Sequence, residues 1–569
     1  MPNAVGADAL TRETGARGLA ARVVRPRTVA FIVCGAVLLA GLVTLLYAAS
    51  VHAVPGNSDG ATVILEGQAM SAGHVTLHHW FLSFDSFWGV DAPLYAIAVL
   101  LVGVRPELLN LVPAVIAAAV VVVGMWIARD GRRGWPGAAG ALVVFALLAL
   151  PSHALATFYL QGPLHVGTAL WCLLAFVLLC NGRSRWRWAL AVVLLTAGSV
   201  GDLQTAAFGI LPVGIAGLVT AARERRWRAG IWGTTAAVAP VVLALVVREV
   251  AKIVGTFTVN KSNPTATHRE MLTNLKLAVT YGDKLLGVGS TDFGSGGVPS
   301  PLLAVHVLAA LAILAGVVAA TVGLVRGVLR GMPGAPGDAG LPGGSASIDA
   351  RVGRDGRGPA SWHLDDVLVL AFFGDIAVFV ILTPAANPAF ARYLTAAVIF
   401  GAVLAGRLAA RVAAAIASGW ARGAATAAAA AAVVATLCFA ASTGYTLAPA
   451  APVQPALGLG QFLAAHDLRS GIGDYWSASI VTVESRESVE VRPVTAPFGR
   501  VVSYTRNSSS TWYKRHTFQF LVYNTALPFG GVDSQSATAT FGPPAHIWSV
   551  NGYLVMAWSH PITVVSGAS

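Results

Sequence analysis

Apolar runs of about twenty residues, repeated along most of the chain and parted by short arginine-rich connections, constrain this sequence more than any other feature. About 30 Å of hydrocarbon crossed at 1.5 Å per helical residue takes ~20 residues, so each run has the length of one membrane crossing. Eleven can be marked, at 29–50, 107–128, 136–155, 163–181, 187–201, 204–222, 229–252, 301–325, 365–384, 394–412 and 423–444. Composition agrees, since 56% of residues are hydrophobic and only 11% charged, too few charges to cover a soluble surface. The formal net charge of +12 sits in clusters between the runs, where it sets topology instead of forming a face for nucleic acid. Cys34, Cys172, Cys180 and Cys438 all lie inside apolar runs, which leaves neither a disulfide framework nor a metal-ligand spacing.

The run at 91–103, DAPLYAIAVLLVG, is too short to span and fits a helix lying at the interface. With that run kept outside, RDGRRGW (129–135), NGRSRWRW (181–188), RERRWR (223–228), VRGVLRG (325–331) and the arginines of the N-terminal tail 1–28 all fall on the cytoplasmic side. The expected fold is therefore a multi-pass α-helical membrane protein with about eleven transmembrane helices over 29–445, its N-terminus cytoplasmic. Outside lie a first loop at 51–106 and a second at 253–300. Inside lies a Gly-, Pro- and Ser-rich linker over 326–364. A small extracytoplasmic α/β domain over 450–569 follows. In it, 455–469 reads as a short amphipathic helix and SIVTVESRESVEVRPV as a strand with period two. AHIWSVNGYLVMAW reads as a hairpin turning at Asn551-Gly552. The Ala, Gly and Arg bias points to a GC-rich bacterial genome, hence to the bacterial cytoplasmic membrane.

Most side chains capable of chemistry fall on the outer side. The first loop carries Asp59, Glu66, Asp85 and Asp91 with His74, His78 and His79 between them. Asp59 lies close behind the first helix, where a carboxylate can take the proton from an attacking hydroxyl near the headgroup plane. It can equally be the N-cap of a helix starting at Gly60. Arg392, at an outer helix end, offers forked donors to a phosphate or acts as an interfacial anchor. His153 and His165 flank one outer turn, where either can orient a carboxylate, bind phosphate, assist a metal or sit as a plain interfacial histidine. Asp202 occupies a turn between two helices, and Asp375 falls near mid-span, where it must pair or stay protonated. Asp59, Glu66 and Asp202 could supply hard oxygen ligands to Mg or Mn, and the alternative is that no cofactor is required. Tyr475, Trp476, Trp512 and Tyr513 in the tail are read either as exposed aromatics able to stack on sugar rings or as core residues.

One inward-starting helix, an acidic first outer loop, many further helices and an outer C-terminal domain resemble the GT-C superfamily of polyprenyl-phosphate-sugar-dependent glycosyltransferases, of the mannosyl- or arabinosyltransferase kind. The residues that carry the resemblance are SDGAT at 58–62, DSFWGVDAPLY at 85–95 and ARYLT at 391–395. The resemblance implies that Asp59 is the catalytic carboxylate and that Arg392 with Tyr393 meets the donor phosphate, with Glu66, Asp85, His153, His165 and Asp202 in support. It implies an inverting transfer of a hexose or pentose from a polyprenyl-phosphate donor to a cell-envelope glycan or glycolipid, among membrane lipids and with no nucleic-acid partner. The lone Asp59 departs from the Asp-Glu pair of protein mannosyltransferases, and no WWDYG motif of oligosaccharyltransferases is present. A transporter or flippase of lipid-linked sugar, or a non-catalytic scaffold, is the alternative, although flippases usually place several ionisable groups at the midplane.

Overall fold

The computed structural model describes residues 26–180, 184–224, 227–259, 265–288, 300–331, 363–382, 387–419, 422–514 and 516–565. Most of the tail 1–28 and of the linker 326–364 therefore lies outside the described residues. The chain divides into two compact units, Met1–Leu42 and Val43–Ser569. The first contributes the opening turns of the apolar helix α1 (Pro26–Ala53). The second holds every other described element.

The helices of the body are α4 (Leu108–Ala128), α5 (Trp135–Leu148), α6 (His153–Tyr159), α7 (His165–Cys180), α8 (Arg185–Gly201), α9 (Leu211–Glu224), α10 (Trp227–Val254), α12 (Ser300–Gly331), α13 (Leu364–Ile381), α14 (Thr395–Gly419) and α15 (Arg422–Leu447). α14 packs against α4, α5, α12 and α13. Among the described residues, seven helices are long and apolar enough to cross a membrane, or eight if a bent pair counts as one crossing. The expected count of eleven is not confirmed, and three features account for the difference. The run 136–155 breaks into α5 and α6 at an 86° bend, at Leu150-Pro151, because proline cannot continue a helix. α8 is 17 residues long, and 16 residues of α7 are described, each short of a full crossing. α13 carries Asp365, Asp366 and Asp375, each costly in hydrocarbon.

The first loop is folded, not open. It forms α2 (Ser58–Ser71), strand β1 (Trp80–Leu82) and α3 (Ala92–Val102). α2 starts at Asn57, whose extended backbone and side chain, accepting from Gly60 N at 2.9 Å, cap the helix. Asn57, not Asp59, is thus the N-cap, and Asp59 stands in the first turn, where a negative charge suits the helix dipole. α2 lies directly on α3 because residue 67 is glycine: a Cβ there would sit 2.8 Å from the carbonyl carbon of Tyr95. The described part of the loop 253–300 is also ordered. α11 (His268–Leu285) is closed at its start by a Thr267–Glu270 capping box and packs on α13 and on the segment Pro388–Leu394.

The C-terminal region contains α16 (Pro455–Ala465), α17 (Tyr475–Glu484), α18 (Ser534–Phe541) and a six-stranded sheet. Its strands are β3 (Ser470–Gly473), β4 (Glu490–Thr495), β5 (Val502–Ser503), β7 (Phe518–Asn524), β8 (His546–Val550) and β9 (Tyr553–Ile562), in spatial order β5-β4-β3-β7-β9-β8. β3, α17 and β4 make a parallel crossover. This corrects the strand expected through SIVTVESRESVEVRPV: residues 479–484 are helical, capped by Asp474, and buried throughout. A segment buried on all faces carries no period, so its alternation had no outer side to report. The hairpin at Asn551-Gly552 forms with positive φ at both residues and Val550 facing Tyr553. Ile472, Val494, Leu521, Val532, Met556 and Trp558 are among the residues of the sheet's core.

A second, three-stranded sheet fastens this region to the first loop. β1 pairs in parallel with β2 (Thr258–Val259) and antiparallel with β6 (Ser508–Ser509), Trp80 facing Ser509 and Phe81 facing Ser508. α17 packs along α2, with Thr62 Oγ1 donating to Ser479 Oγ at 2.9 Å. Residues just before β6 are thereby delivered to the N-terminal end of α2.

Candidate functional site

α2 presents Asp59, Thr62, Val63 and Glu66, spaced as one helix face, to a cavity of about 160 Å³. The 83–87 segment, Pro163 to His165, Arg392 with Tyr393, and Arg506 with Asn507 complete its lining. Asp59 and Arg392, 333 positions apart (392 − 59), line one chamber.

Each wall has a local cause. Arg392 and Tyr393 belong to the 3-10 segment Pro388–Leu394, which Asn387 opens by accepting from Ala389 N at 2.9 Å and which runs directly into α14. Tyr393 is buried between the rings of His165, centroids 4.9 Å apart, and Phe390, at 5.6 Å. The Arg392 guanidinium carbon lies 5.2 Å from the centroid of the Tyr393 ring, and its Nε is buried without a hydrogen-bond partner. Asn507 takes the left-handed conformation, φ +48°, as short polar side chains tolerate. Its Oδ1 accepts from Ser83 N at 2.9 Å, locking the turn before β6 onto the first loop.

Asp59 is held from the C-terminal region. The Tyr475 hydroxyl donates to Asp59 Oδ1. Asn507 Nδ2 donates to the Tyr475 oxygen at 2.8 Å and reaches Asp59 Oδ1 at 3.5 Å. Burial, then the charge of Asp59, pushes the Tyr475 phenol well above its ordinary range, so it stays a donor. Both contacts fall on Oδ1, which leaves Oδ2 for an incoming hydroxyl.

The cavity is electrostatically loaded. Burial and the neighbouring Asp59 raise Glu66 to about 8. Asp85 is also raised, first by burial and then by Asp202, with His165, Arg392 and Arg506 opposing. Among the described residues, none of Asp59, Glu66 and Asp85 closes an ion pair with Arg392 or Arg506. Carboxylates and guanidiniums share the chamber without neutralising one another by contact.

Of the residues singled out in the sequence, Asp59, Glu66, Asp85, His165, Arg392 and Tyr393 meet here. His165 has both ring nitrogens in use: Nδ1 donates to Asp202 Oδ2 at 2.7 Å, and Nε2 accepts from Gln204 Nε2 at 3.2 Å. Asp202 lies behind it, fully buried, also accepting from Thr168 Oγ1 at 2.6 Å and Gln204 N at 2.9 Å. Asp202 is thus a brace for His165 and not a member of a ligand set with Asp59 and Glu66. No group of three or more His, Cys, Asp or Glu able to hold a metal ion occurs among the described residues. His153 opens α6, half-buried, and does not line the cavity. Asp91 caps α3 in the interior, burial raising it to about 8, while Asp375 accepts from Ala397 N at 2.7 Å. His74, His78 and His79 are exposed.

The tail aromatics divide. Tyr475 and Tyr513 are buried, and Trp512 is covered on one face by the Arg492 guanidinium, 4.5 Å from its ring centroid. Only Trp476, 38% exposed, shows much surface. Sequence reasoning missed Tyr475 as the partner of Asp59, and Arg506 and Asn507 as cavity residues. The one available signal was an Arg-Asn pair in a polar stretch, SYTRNSSS, where Asn is suited to a left-handed turn.

No protein-family profile matches the chain. No curated protein matches it. Among solved structures it is similar to ArnT from Cupriavidus metallidurans bound to undecaprenyl phosphate, at 13% identity and a TM-score of 0.49, covering 92% of this chain and 97% of that one. It is also similar to the Archaeoglobus fulgidus oligosaccharyltransferase in complex with zinc and sulfate, at 10% identity and 0.44, over 85% of this chain and 68% of that one. AglB from the same organism, in complex with an inhibitory peptide and a dolichol-phosphate, gives 10% identity and 0.40, over 86% and 69%. At these scores none adds to what the cavity's own side chains express.

Proposed function

We propose that this chain is a GT-C-type membrane glycosyltransferase that moves a sugar from a polyprenyl-phosphate donor to a glycan or glycolipid acceptor at the outer face of the cytoplasmic membrane. The observation that carries the reading is the shared chamber: a tethered carboxylate, Asp59, opposite Arg392. In this scheme the acceptor oxygen attacks the anomeric carbon and Asp59 Oδ2 takes the proton. The bond from that carbon to the phosphate oxygen breaks, its electron pair leaves with polyprenyl phosphate, and the configuration inverts. Arg392, with the forked donors of a guanidinium, holds the departing phosphate, and Arg506 adds a second cation in the same cavity. Tyr475 and Asn507 fix the carboxylate, so positioning and charge stabilisation supply most of the barrier reduction.

The test is release of polyprenyl phosphate by the purified full chain in lipid, against a panel of polyprenyl-phosphate sugars with a glycan acceptor, with and without Mg or Mn. Turnover by wild type that Asp59→Asn abolishes, with donor binding kept, supports the reading. Donor movement across the bilayer that Asp59→Asn leaves untouched would establish the flippase alternative instead.

A further inference from the structure

α2 carries a second polar group into the chamber that the transfer scheme leaves without work. On the cavity face of the helix, Thr62 is satisfied by Ser479 and Val63 is apolar. Glu66 is 4% exposed, lines the cavity, and its Oε2 is buried with no hydrogen-bond partner. A buried polar atom left unpaired is costly, and a position needed only for packing would be served by an apolar side chain. Glu66 stands seven residues beyond Asp59, two helical turns or about 10.5 Å along the same face. That is the length of one hexose with a hydrogen bond at either end.

We propose that Glu66 is a specificity-determining residue that reads a hydroxyl of the sugar lying along α2, at the end of the ring away from Asp59. The assignment rests on the glycosyltransferase reading above and refines it. The carboxyl, held in its protonated form by burial and by Asp59, donates to the sugar oxygen and can accept from it in return. A sugar lacking that hydroxyl leaves Glu66 unpaired, which is how a polar site rejects an analogue. The hydroxyl belongs either to the donor sugar or to the first acceptor sugar, and the two sources separate experimentally.

The experiment is kcat/KM of wild type, Glu66→Ala and Glu66→Gln in lipid, against donors each lacking one hydroxyl and, separately, acceptors each lacking one hydroxyl. Wild type loses about 10- to 100-fold with one analogue, as for loss of one buried hydrogen bond. Glu66→Ala loses a similar factor with the complete sugar but little more with that analogue, the signature of a coupled pair. Glu66→Gln, which still donates and accepts, retains more discrimination than Glu66→Ala. Coupling within the donor series assigns the hydroxyl to the donor, and within the acceptor series to the acceptor. Turnover by wild type with equal losses for every analogue in both variants overturns the role of Glu66 alone. Absence of wild-type turnover with every complete sugar takes down the transferase reading and this assignment together.

Discussion

Charge is handled in opposite ways just before α14 and in its middle. About three turns beyond its start, at 3.6 residues per turn, Arg407 bridges Asp130, at 2.7 Å, and Asp365, while Arg411 joins the same two carboxylates. Arg407 also donates to Ile127 O at 3.1 Å, and Arg223 pairs with Asp366. These pairs tie the turn after α4, the start of α13 and the end of α9 to their neighbours. Just before α14 begins, Arg392 faces Asp59, Glu66 and Asp85 across a chamber without touching them. Charges that hold helices together are paired within the protein, and the charges left apart are the ones that the proposed scheme gives to the donor phosphate and the acceptor hydroxyl.

That contrast can be broken deliberately. The largest expected effect is on turnover: Asp59→Asn lowers kcat by about 10²- to 10⁴-fold, the usual weight of a positioned general base, with the thermal midpoint unchanged. Arg392→Ala follows, at about 10²- to 10³-fold in kcat, and Arg392→Lys recovers only part because an ammonium lacks the fork. Among the paired charges the currency is stability instead. Asp365→Asn leaves Arg407 short of a partner and costs about 3 kcal/mol, read as a lower midpoint in thermal unfolding, with turnover per folded molecule unchanged. Tyr475→Phe removes one hydrogen bond to a charged group and lowers kcat about tenfold, with a moved acid limb in the pH profile of kcat/KM.

A further contrast concerns Glu66 and pH. Its folded value of about 8 lies above the ordinary 4.5, so the folded state holds that proton more tightly. The stability this contributes is full below about 4.5 and is lost as pH rises through 8. Glu66→Gln should therefore match wild type at acid pH and melt above it at pH beyond that window. A constant difference across the range contradicts the buried, protonated carboxyl.

Legibility followed the range of the physics involved. Helices of the body appear where the apolar runs lie, because twenty apolar residues in a row have few alternatives. The break at Pro151 and the shortness of α8 were readable only in part, since apolar composition does not say whether a helix is straight or spans alone. Asp59, Arg392, Tyr393, His165, Glu66 and Asp85 were legible as charged or aromatic residues in unusual places. Their division of labour was not. Nothing in a sequence distinguishes His165, consumed by Asp202 and Gln204, from a histidine free to meet a ligand. Nor does it connect Tyr475 to Asp59, 416 positions earlier.

By itself the sequence determined that this is a membrane protein with apolar helices, that its reactive residues cluster outside the apolar runs, and that Asn551-Gly552 turns a hairpin, because length, hydropathy and turn chemistry act locally. Only the tertiary structure decided that α17 lies along α2, that β6 pairs with β1, and that Asp59 therefore receives a tyrosine and faces an arginine across one cavity. Those pairings depend on which surfaces exclude water together, a property of the assembled fold that no stretch of chain carries alone.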